Sequence, residues 1–196
     1  IGIAQTRKLL EKNCSNIKST TYMKKIINSI DEKVKSFRQL NPSVGLPQDL
    51  FHLTSRLTPI VNVDLLIKDE HNRILLAWRS DEFSGEGWHI PGGVVRYKEK
   101  LSARVIKVAK LEINHPVSFK AEPICVNEIF RTHNTRGHFI SFLYDCIISE
   151  EYIPKNYGLA NNDPGFLEWH DACPPNLVDV HEIYRDHIER VVQNER

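Results

Sequence analysis

The residues able to do chemistry concentrate in Gly87–Asn114, GWHIPGGVVRYKEKLSARVIKVAKLEIN. Pro91-Gly92-Gly93 makes a tight bend without side chains, where backbone carbonyls and N–H groups can approach a ligand closely. The bend leads to a helix predicted from Leu101, on which each residue advances ~100°. Val105 and Val108 then sit within about 40° of Leu101, and Glu112, at about 20°, falls on the same apolar stripe. A carboxylate buried there without a partner is costly, so Glu112 needs a cation, unless the stripe ends in solvent or Arg104 pairs with it. Phosphate-bound Mg²⁺ usually takes one or two carboxylates with phosphate oxygens and waters. A glycine bend and a helix ending in a carboxylate therefore suit a magnesium diphosphate. Asp64 is the other conspicuous acid. It projects from the otherwise apolar run Ile60–Ile67 on the same face as Asn62, and reads as a site residue over a plain structural hydrogen-bonding one.

The elements that must position these groups follow from apolar spacing. Ile60–Ile67 alternates as a strand, with Val61, Val63, Leu65 and Ile67 on one face. Arg73–Arg79 is a second strand after the turn Lys68–Asn72, and Trp88-His89-Ile90 a third. Leu101–Ile113 fits a helix, Ile124–Arg131 and Phe139–Ile148 two more strands, and Phe166–Trp169 a short one. Asp179–Val192 is a closing helix, with Asp179 and Glu182 as a capping-box-like start. Residues 1–57 read as a helical arm. Ile26, Ile27, Ile30, Val34 and Phe37 keep helical spacing, a shorter helix spans Ile3–Leu10, and Asn41–Gln48 is a Pro/Gly-punctuated linker. The expected division is an arm at 1–57 and a catalytic domain at 58–196.

Composition narrows the classes. The chain has 196 residues, 41% hydrophobic, enough for a sizeable core. Lys plus Arg (26) nearly cancel Asp plus Glu (25), leaving a net charge of +1. That gives no bulk field for nucleic acid or an anionic membrane, so an anionic ligand needs a local site. Apolar runs are far shorter than the ~20 residues of a bilayer span. No stretch reads as a signal peptide, although the chain opens at Ile1, and the expected location is cytoplasmic. Cys14, Cys125, Cys146 and Cys173 form no CxxC pair and are expected as free thiols. His181-Glu182 does not begin HExxH, because Arg185 stands at the second His position.

The central segment resembles a Nudix box, G-x5-E-x7-R-E-U-x-E-E-x-G-U with U aliphatic. Gly93 and Glu99 keep the G-x5-E spacing, in register with the run Lys107 to Glu112. Lys107 stands at the box Arg, Val108 and Leu111 replace two Glu, and Asn114 replaces the Gly. The same two carboxylates are absent from the GDP-mannose mannosyl hydrolase subgroup, which this chain resembles over about Thr58 to Trp169. The shared features are Thr58-Pro59, Asp64, Leu75-Leu76, Arg79, Gly87-Trp88 and Pro91-Gly92-Gly93. The resemblance implies an α+β fold, a Nudix-like α/β/α sandwich with a mixed sheet behind the N-terminal helical arm. It implies Mg²⁺, with Mn²⁺ as the alternative, held by the Gly92 carbonyl, Glu112 and Asp163. Arg79 matches a phosphate-contacting Arg, Lys107 can pair with Glu99, and His133 and His138 fall where the subgroup carries a substrate-side His. Pro164 occupies the position of the subgroup's general-base His and cannot accept a proton. The base is thus left among Asp163, Asp64 and nearby histidines.

The expected function is that of an Mg²⁺-dependent hydrolase of a nucleoside diphosphate derivative, a GDP-mannose-like nucleotide sugar. Arg79, Asp64 and Asp163 are the catalytic candidates, and Arg79, Lys107, His133 and His138 the substrate-binding ones. Water would attack the sugar's anomeric carbon and release the nucleoside diphosphate. The alternatives are pyrophosphate cleavage at phosphorus and a non-catalytic nucleotide-sugar-binding module. The expected partner is a small molecule, with no nucleic acid and no membrane, and the arm's apolar stripe suits a homodimer.

Overall fold

The computed structural model describes residues 20–133, 135–148 and 151–193. The expected helix Ile3–Leu10 and Cys14 lie outside them. The chain divides into two compact units, Ile1–Asn41 and Pro42–Arg196, so the division falls ahead of the Thr58 expected from sequence. In the first unit, α1 (Thr20–Arg38) ends with Lys35 and Arg38 in its last turn, where cations complement the helix dipole.

The second unit opens with α2 (Gln48–Ser55), started by Pro47 and carrying Asp49 in its first turn. The strands are β1 (Ile60–Lys68), β2 (Ile74–Asp81), β3 (Gly85–His89), β4 (Gly92–Val94), β5 (Ser118–Phe119), β6 (Cys125–Phe130), β7 (His138–Ile147) and β8 (Leu167–His170). They form one mixed sheet ordered β3-β2-β1-β7-β5, with β4 on β1, β6 on β7 and β8 on β2. β1 and β7 run parallel from Ile60 opposite Phe139 to Lys68 opposite Ile147, and the other pairings are antiparallel.

Both faces of β1 are covered. Val63, Leu65 and Ile67 pack under α3 (Leu101–Val108) with Val105, Val108, Tyr144 and Cys146. On the other face Leu66 joins Trp78, Trp88, Ile90, Leu143, Tyr184 and Ile188 beneath the C-terminal helices. The result is the expected α/β/α arrangement. Trp78 and Trp88 meet edge to face at 5.2 Å, buried as core residues. Cys125, Cys146 and Cys173 are free thiols, and among the described residues no helix is long and apolar enough to cross a membrane.

Two helices differ from the sequence reading. The one predicted over Leu101–Ile113 is α-helical only to Val108. Ala109–Ile113 widens into a π-turn, closed by Asn114 in the left-handed conformation at φ 50°. The closing helix begins as a 3-10 segment (Asp179–Tyr184) before becoming α4 (Arg185–Gln193). β4 and β5, three and two residues long, are too short to show an alternation in sequence.

Candidate active site

Pairing of β4 with β1 sets the floor of the site. Gly92 lies opposite Asp64 and Gly93 opposite Val63. A Cβ on Gly92 would collide with Asp64 Oδ1 and lie 3.0 Å from the Val63 carbonyl. A Cβ on Gly93 would lie 2.8 Å from Val108 Cγ2. These glycines therefore let a strand sit against a buried carboxylate on one side and let α3 approach on the other, in addition to leaving the backbone open.

Asp64 is 2% exposed. Its Oδ2 accepts hydrogen bonds from the hydroxyls of Ser141 and Tyr184 (2.6 Å for Tyr184), and its Oδ1 accepts one from Asn62 Nδ2 at 2.7 Å. Tyr184 Oη also lies 3.1 Å from Ser141 Oγ. Three donors satisfy a charge that burial alone would penalise. Burial raises the Tyr184 hydroxyl strongly and the nearby Asp64 charge raises it further, so it remains the donor. His181, 5% exposed, lies beside this group. Its Nδ1 accepts the Ile90 N–H at 2.9 Å. Burial first, and the Arg79 and Arg131 charges after it, outweigh the Asp64 charge and hold the ring down at about 4. His181 is therefore neutral near pH 7, with its proton on Nε2.

Glu99 anchors the start of α3. Its Oε2 accepts from Arg104 Nε at 2.8 Å and from the Arg96 N–H at 2.9 Å, while Oε1 pairs with Lys107 Nζ at 2.7 Å. Burial pushes its carboxyl up, but Lys107, the Arg96 N–H and Arg104 together carry it down to about 2. The Lys107–Glu99 pairing implied by the resemblance is thus present. Arg104 is committed to Glu99, so it does not serve Glu112.

Glu112 differs from the sequence geometry. The π-turn breaks the 100° progression, and the residue is exposed instead of lying on the apolar stripe. Among the described residues it makes no hydrogen bond or ion pair. Neighbouring atoms still crowd it enough that desolvation raises its pKa, with Arg79 as the opposing positive charge. A carboxylate left without a partner on a π-turn is an available ligand.

A further concentration of charge comes from elsewhere. Arg79 on β2, Arg131 just after β6 and Arg136 in the turn before β7 converge on one recess of about 210 Å³. Asn62, Asp64, Gly92, Gly93 and His181 also line it. Arg79 Nε pairs with Asp81 Oδ2 at 3.4 Å. Arg136 has a left-handed backbone at φ 54°. Its N–H donates to Ser55 Oγ at 3.1 Å and its guanidinium lies 4.7 Å from the Phe83 ring centroid, while Nε is buried without a partner. Burial first, and then the Arg79 charge, lowers the pKa of Arg136; burial and, after the opposing Asp81, Arg79 do the same for Arg131. Arg131 and Arg136, both lowered by burial and by the Arg79 charge, gather with Arg79 on a glycine-floored recess whose chemistry suits an anion. Sequence reading found Arg79 but missed Arg131, Arg136, Ser141, Tyr184 and His181. The available signal was Arg131 and Arg136 within one hairpin connection, and polar Ser141 amid the apolar run of β7.

The other predicted residues lie outside this recess. Asp163 Oδ2 accepts the Ala160 N–H at 2.8 Å and closes the turn ahead of β8, leaving Oδ1 uncommitted. Lys107 is held by Glu99. His138 stacks on Phe130 at 4.4 Å, and its Nε2 is buried without a partner. His133 meets the Phe83 edge at 5.9 Å and lines a second, wider groove of about 600 Å³. Among the described residues no three His, Cys, Asp or Glu side chains cluster as a ready-made metal site.

Comparison with known proteins agrees with this architecture. The model of the family described as the NUDIX domain matches residues 58–193. Low-salt glycan biosynthesis protein Agl8 of Haloferax volcanii is 25% identical over 114 residues, covering 56% of this chain and 72% of that protein. The MutT protein of Methanosarcina mazei Go1 superposes with a TM-score of 0.52 at 19% identity, over 71% of this chain and 97% of that one. A MutT NUDIX hydrolase of Burkholderia pseudomallei gives 0.51 at 21% identity, over 66% and 97%. These two likenesses concern the fold.

Proposed function

The chain belongs to the Nudix family and is a Nudix-type hydrolase; from that premise we propose that its substrate is a nucleoside diphosphate derivative, specifically a nucleotide sugar of the GDP-mannose kind. The observation that carries this reading is the convergence of Arg79, Arg131 and Arg136 on one recess. The planar forks of three guanidiniums match the oxygens of a diphosphate, both as bound substrate and as a leaving group gaining charge. The 25% relationship to a glycan-biosynthesis protein is in line with a sugar-linked nucleotide.

Nudix hydrolases generally use divalent metals such as Mg²⁺. The donor types present on this chain are those such an ion takes. Glu112 is an unpartnered carboxylate, Asp163 keeps Oδ1 uncommitted, and the Gly92 backbone has no side chain to obstruct it. These three residues would hold Mg²⁺ or Mn²⁺, which would supply Lewis-acid neutralisation of the diphosphate charge. The arginines bind and orient the diphosphate. Asp64, fixed by Tyr184, Ser141 and Asn62, lines the same recess as the guanidiniums. Pro164 cannot take a proton, so acceptance of the attacking water's proton falls to Asp163 or Asp64. Lys107, His133 and His138 act at one remove: Lys107 through Glu99, and the two histidines by steadying Phe83 and Phe130.

The test is turnover of GDP-mannose and other nucleotide sugars with Mg²⁺ in ¹⁸O-labelled water. The expected products are nucleoside diphosphate and a reducing sugar carrying the label. Label on phosphate would assign the reaction to phosphorus and overturn attack at carbon. Nucleotide binding without turnover of any nucleotide sugar would leave the site a binding module for this class.

A further inference from the structure

The recess and the wider groove adjoin across a shared wall, in which Arg131 Nη1 reaches Ser84 Oγ at 3.5 Å, and the balance of charge differs between the two sides. Ser84, Ile129, Arg131 and Val180 line both. On the recess side three arginines face Asp64, with Asp81 pairing Arg79 from outside the lining. On the groove side Glu82, Glu128 and Asp179 face Arg131 and His133. All three groove carboxylates are exposed, and among the described residues none makes an ion pair or a side-chain hydrogen bond. The aromatic groups of the groove are Phe83 and Phe130, with Phe130 70% exposed and backed by the stacked His138 ring.

We infer that the site sorts its substrates by charge: the arginine recess takes the diphosphate, and the groove takes an uncharged, hydroxyl-bearing glycosyl unit while turning away one that carries a carboxylate or a further phosphate. The inference rests on the nucleoside-diphosphate reading above. For a diphosphate placed among the arginines, the groove beyond Arg131 and Ser84 is the adjoining space for its covalently attached group. Carboxylates only accept hydrogen bonds, so the group they favour is one that donates several, as sugar hydroxyls do. The exposed Phe130 face suits the C–H side of a pyranose ring. An anion entering the same space meets three carboxylates against one guanidinium. At ~4 Å in water each like-charge encounter weakens binding by roughly fivefold, and salt screens it. Discrimination between a neutral and an acidic sugar thus comes from repulsion, which the recess arginines alone could not supply.

The experiment is calorimetric titration at low salt with two matched pairs, GDP-mannose against GDP-mannuronate and UDP-glucose against UDP-glucuronate, with GDP and UDP alone as references. The wild-type protein is expected to bind the neutral member of a recognised pair at least ~10-fold more tightly than the acidic one. Raising the salt should narrow that gap. In the combined variant Glu82→Gln, Glu128→Gln, Asp179→Asn the gap should shrink to within ~3-fold, and Glu128→Gln alone should move it in the same direction if the combined variant does not fold. Equal affinities within each pair for the wild-type protein, or a gap untouched by these substitutions, would overturn the sorting while leaving the diphosphate reading intact. A base lying in the groove in place of the sugar would give that second result. If neither the nucleoside diphosphates nor their sugar derivatives bind, the diphosphate reading itself fails and the sorting with it.

Discussion

Tyr184 Oη donates a 2.6 Å hydrogen bond to Asp64 Oδ2 across 120 residues of chain. The 3-10 segment near the C-terminus is thereby pinned to the central strand at the wall of the recess. Removing the hydroxyl leaves Asp64 with one donor fewer in a buried setting, a loss of about 1–3 kcal/mol. Tyr184→Phe should lower stability by that amount in urea unfolding. It should also weaken turnover more than nucleotide affinity, since the arginines are untouched. Unchanged stability would mean that the bond contributes nothing net.

Gly93 should prove intolerant because of Val108. Its Cβ would lie 2.8 Å from Val108 Cγ2, so Gly93→Ala is expected to cost about 1–3 kcal/mol through overpacking. Val108→Ala removes the colliding methyl. The double variant should therefore be at least ~0.5 kcal/mol more stable than the two single losses predict. Simple additivity in denaturant melts would show that strand and helix separate to admit the methyl.

Acid should loosen α3 through Glu99. Its carboxyl titrates near 2 in the folded chain against an ordinary value of 4.5. The unfolded state therefore takes up a proton first as the pH falls, and the stability that ionised Glu99 contributes is present above pH 4.5 and lost on the way down to pH 2. Glu99→Gln lacks this component. Stability measured against pH should fall less steeply between 4.5 and 2 in the variant, from a lower starting point at neutrality. Parallel curves would refute the assignment.

Each arginine of the recess should matter for nucleotide affinity. Charge-assisted hydrogen bonds contribute about 1.5–3 kcal/mol, so Arg79→Ala, Arg131→Ala and Arg136→Ala should each weaken nucleoside diphosphate binding by ~10-fold or more in calorimetry. Arg136→Lys should not restore it, because an ammonium lacks the planar fork and the stacking on Phe83. An Arg136→Lys variant with native affinity would make that arginine a point charge and nothing more.

Glu112→Gln should separate metal binding from folding. The residue is exposed and makes no hydrogen bond or ion pair among the described residues, so stability should hardly change. Loss of its charge should lower Mg²⁺ affinity in the presence of nucleotide by at least ~10-fold, or about 1.4 kcal/mol. Unaltered Mg²⁺ affinity would remove Glu112 from the ligand set.

What sequence could reveal here depended on how local the determining interaction was. The alternation of Val63, Leu65 and Ile67 and the spacing of Gly93 to Glu99 are short-range patterns, and they led to the sandwich and to the start of α3. A constant α-helical period carried through Ala109, where the backbone changes period, puts Glu112 on the apolar stripe. The same constant period makes Arg104 a partner for Glu112, whereas its partner is Glu99, five residues earlier. Arg131 and Arg136 escaped notice because neither has a periodic signal. Each becomes part of a site only when the β6–β7 connection folds back beside β2 and Ser55. In the same way α2 has the composition of an arm yet supplies Ser55 and Phe51 to Arg136.

The parallel pairing of β1 with β7 also governs when the recess can exist. Asp64 meets Ser141 across 77 residues of chain, and closing so large a loop must precede the contacts that reward it. During synthesis the central strand emerges early and waits, with one edge bare, until β7 arrives. The two halves of the anion site, Arg79 before the gap and Arg131 with Arg136 just ahead of β7, stay apart until that moment. A nucleotide therefore has nothing to grip in a partly assembled chain. In refolding, recovery of nucleotide binding should trail formation of the Trp78–Trp88 contact, which the β2–β3 hairpin makes locally.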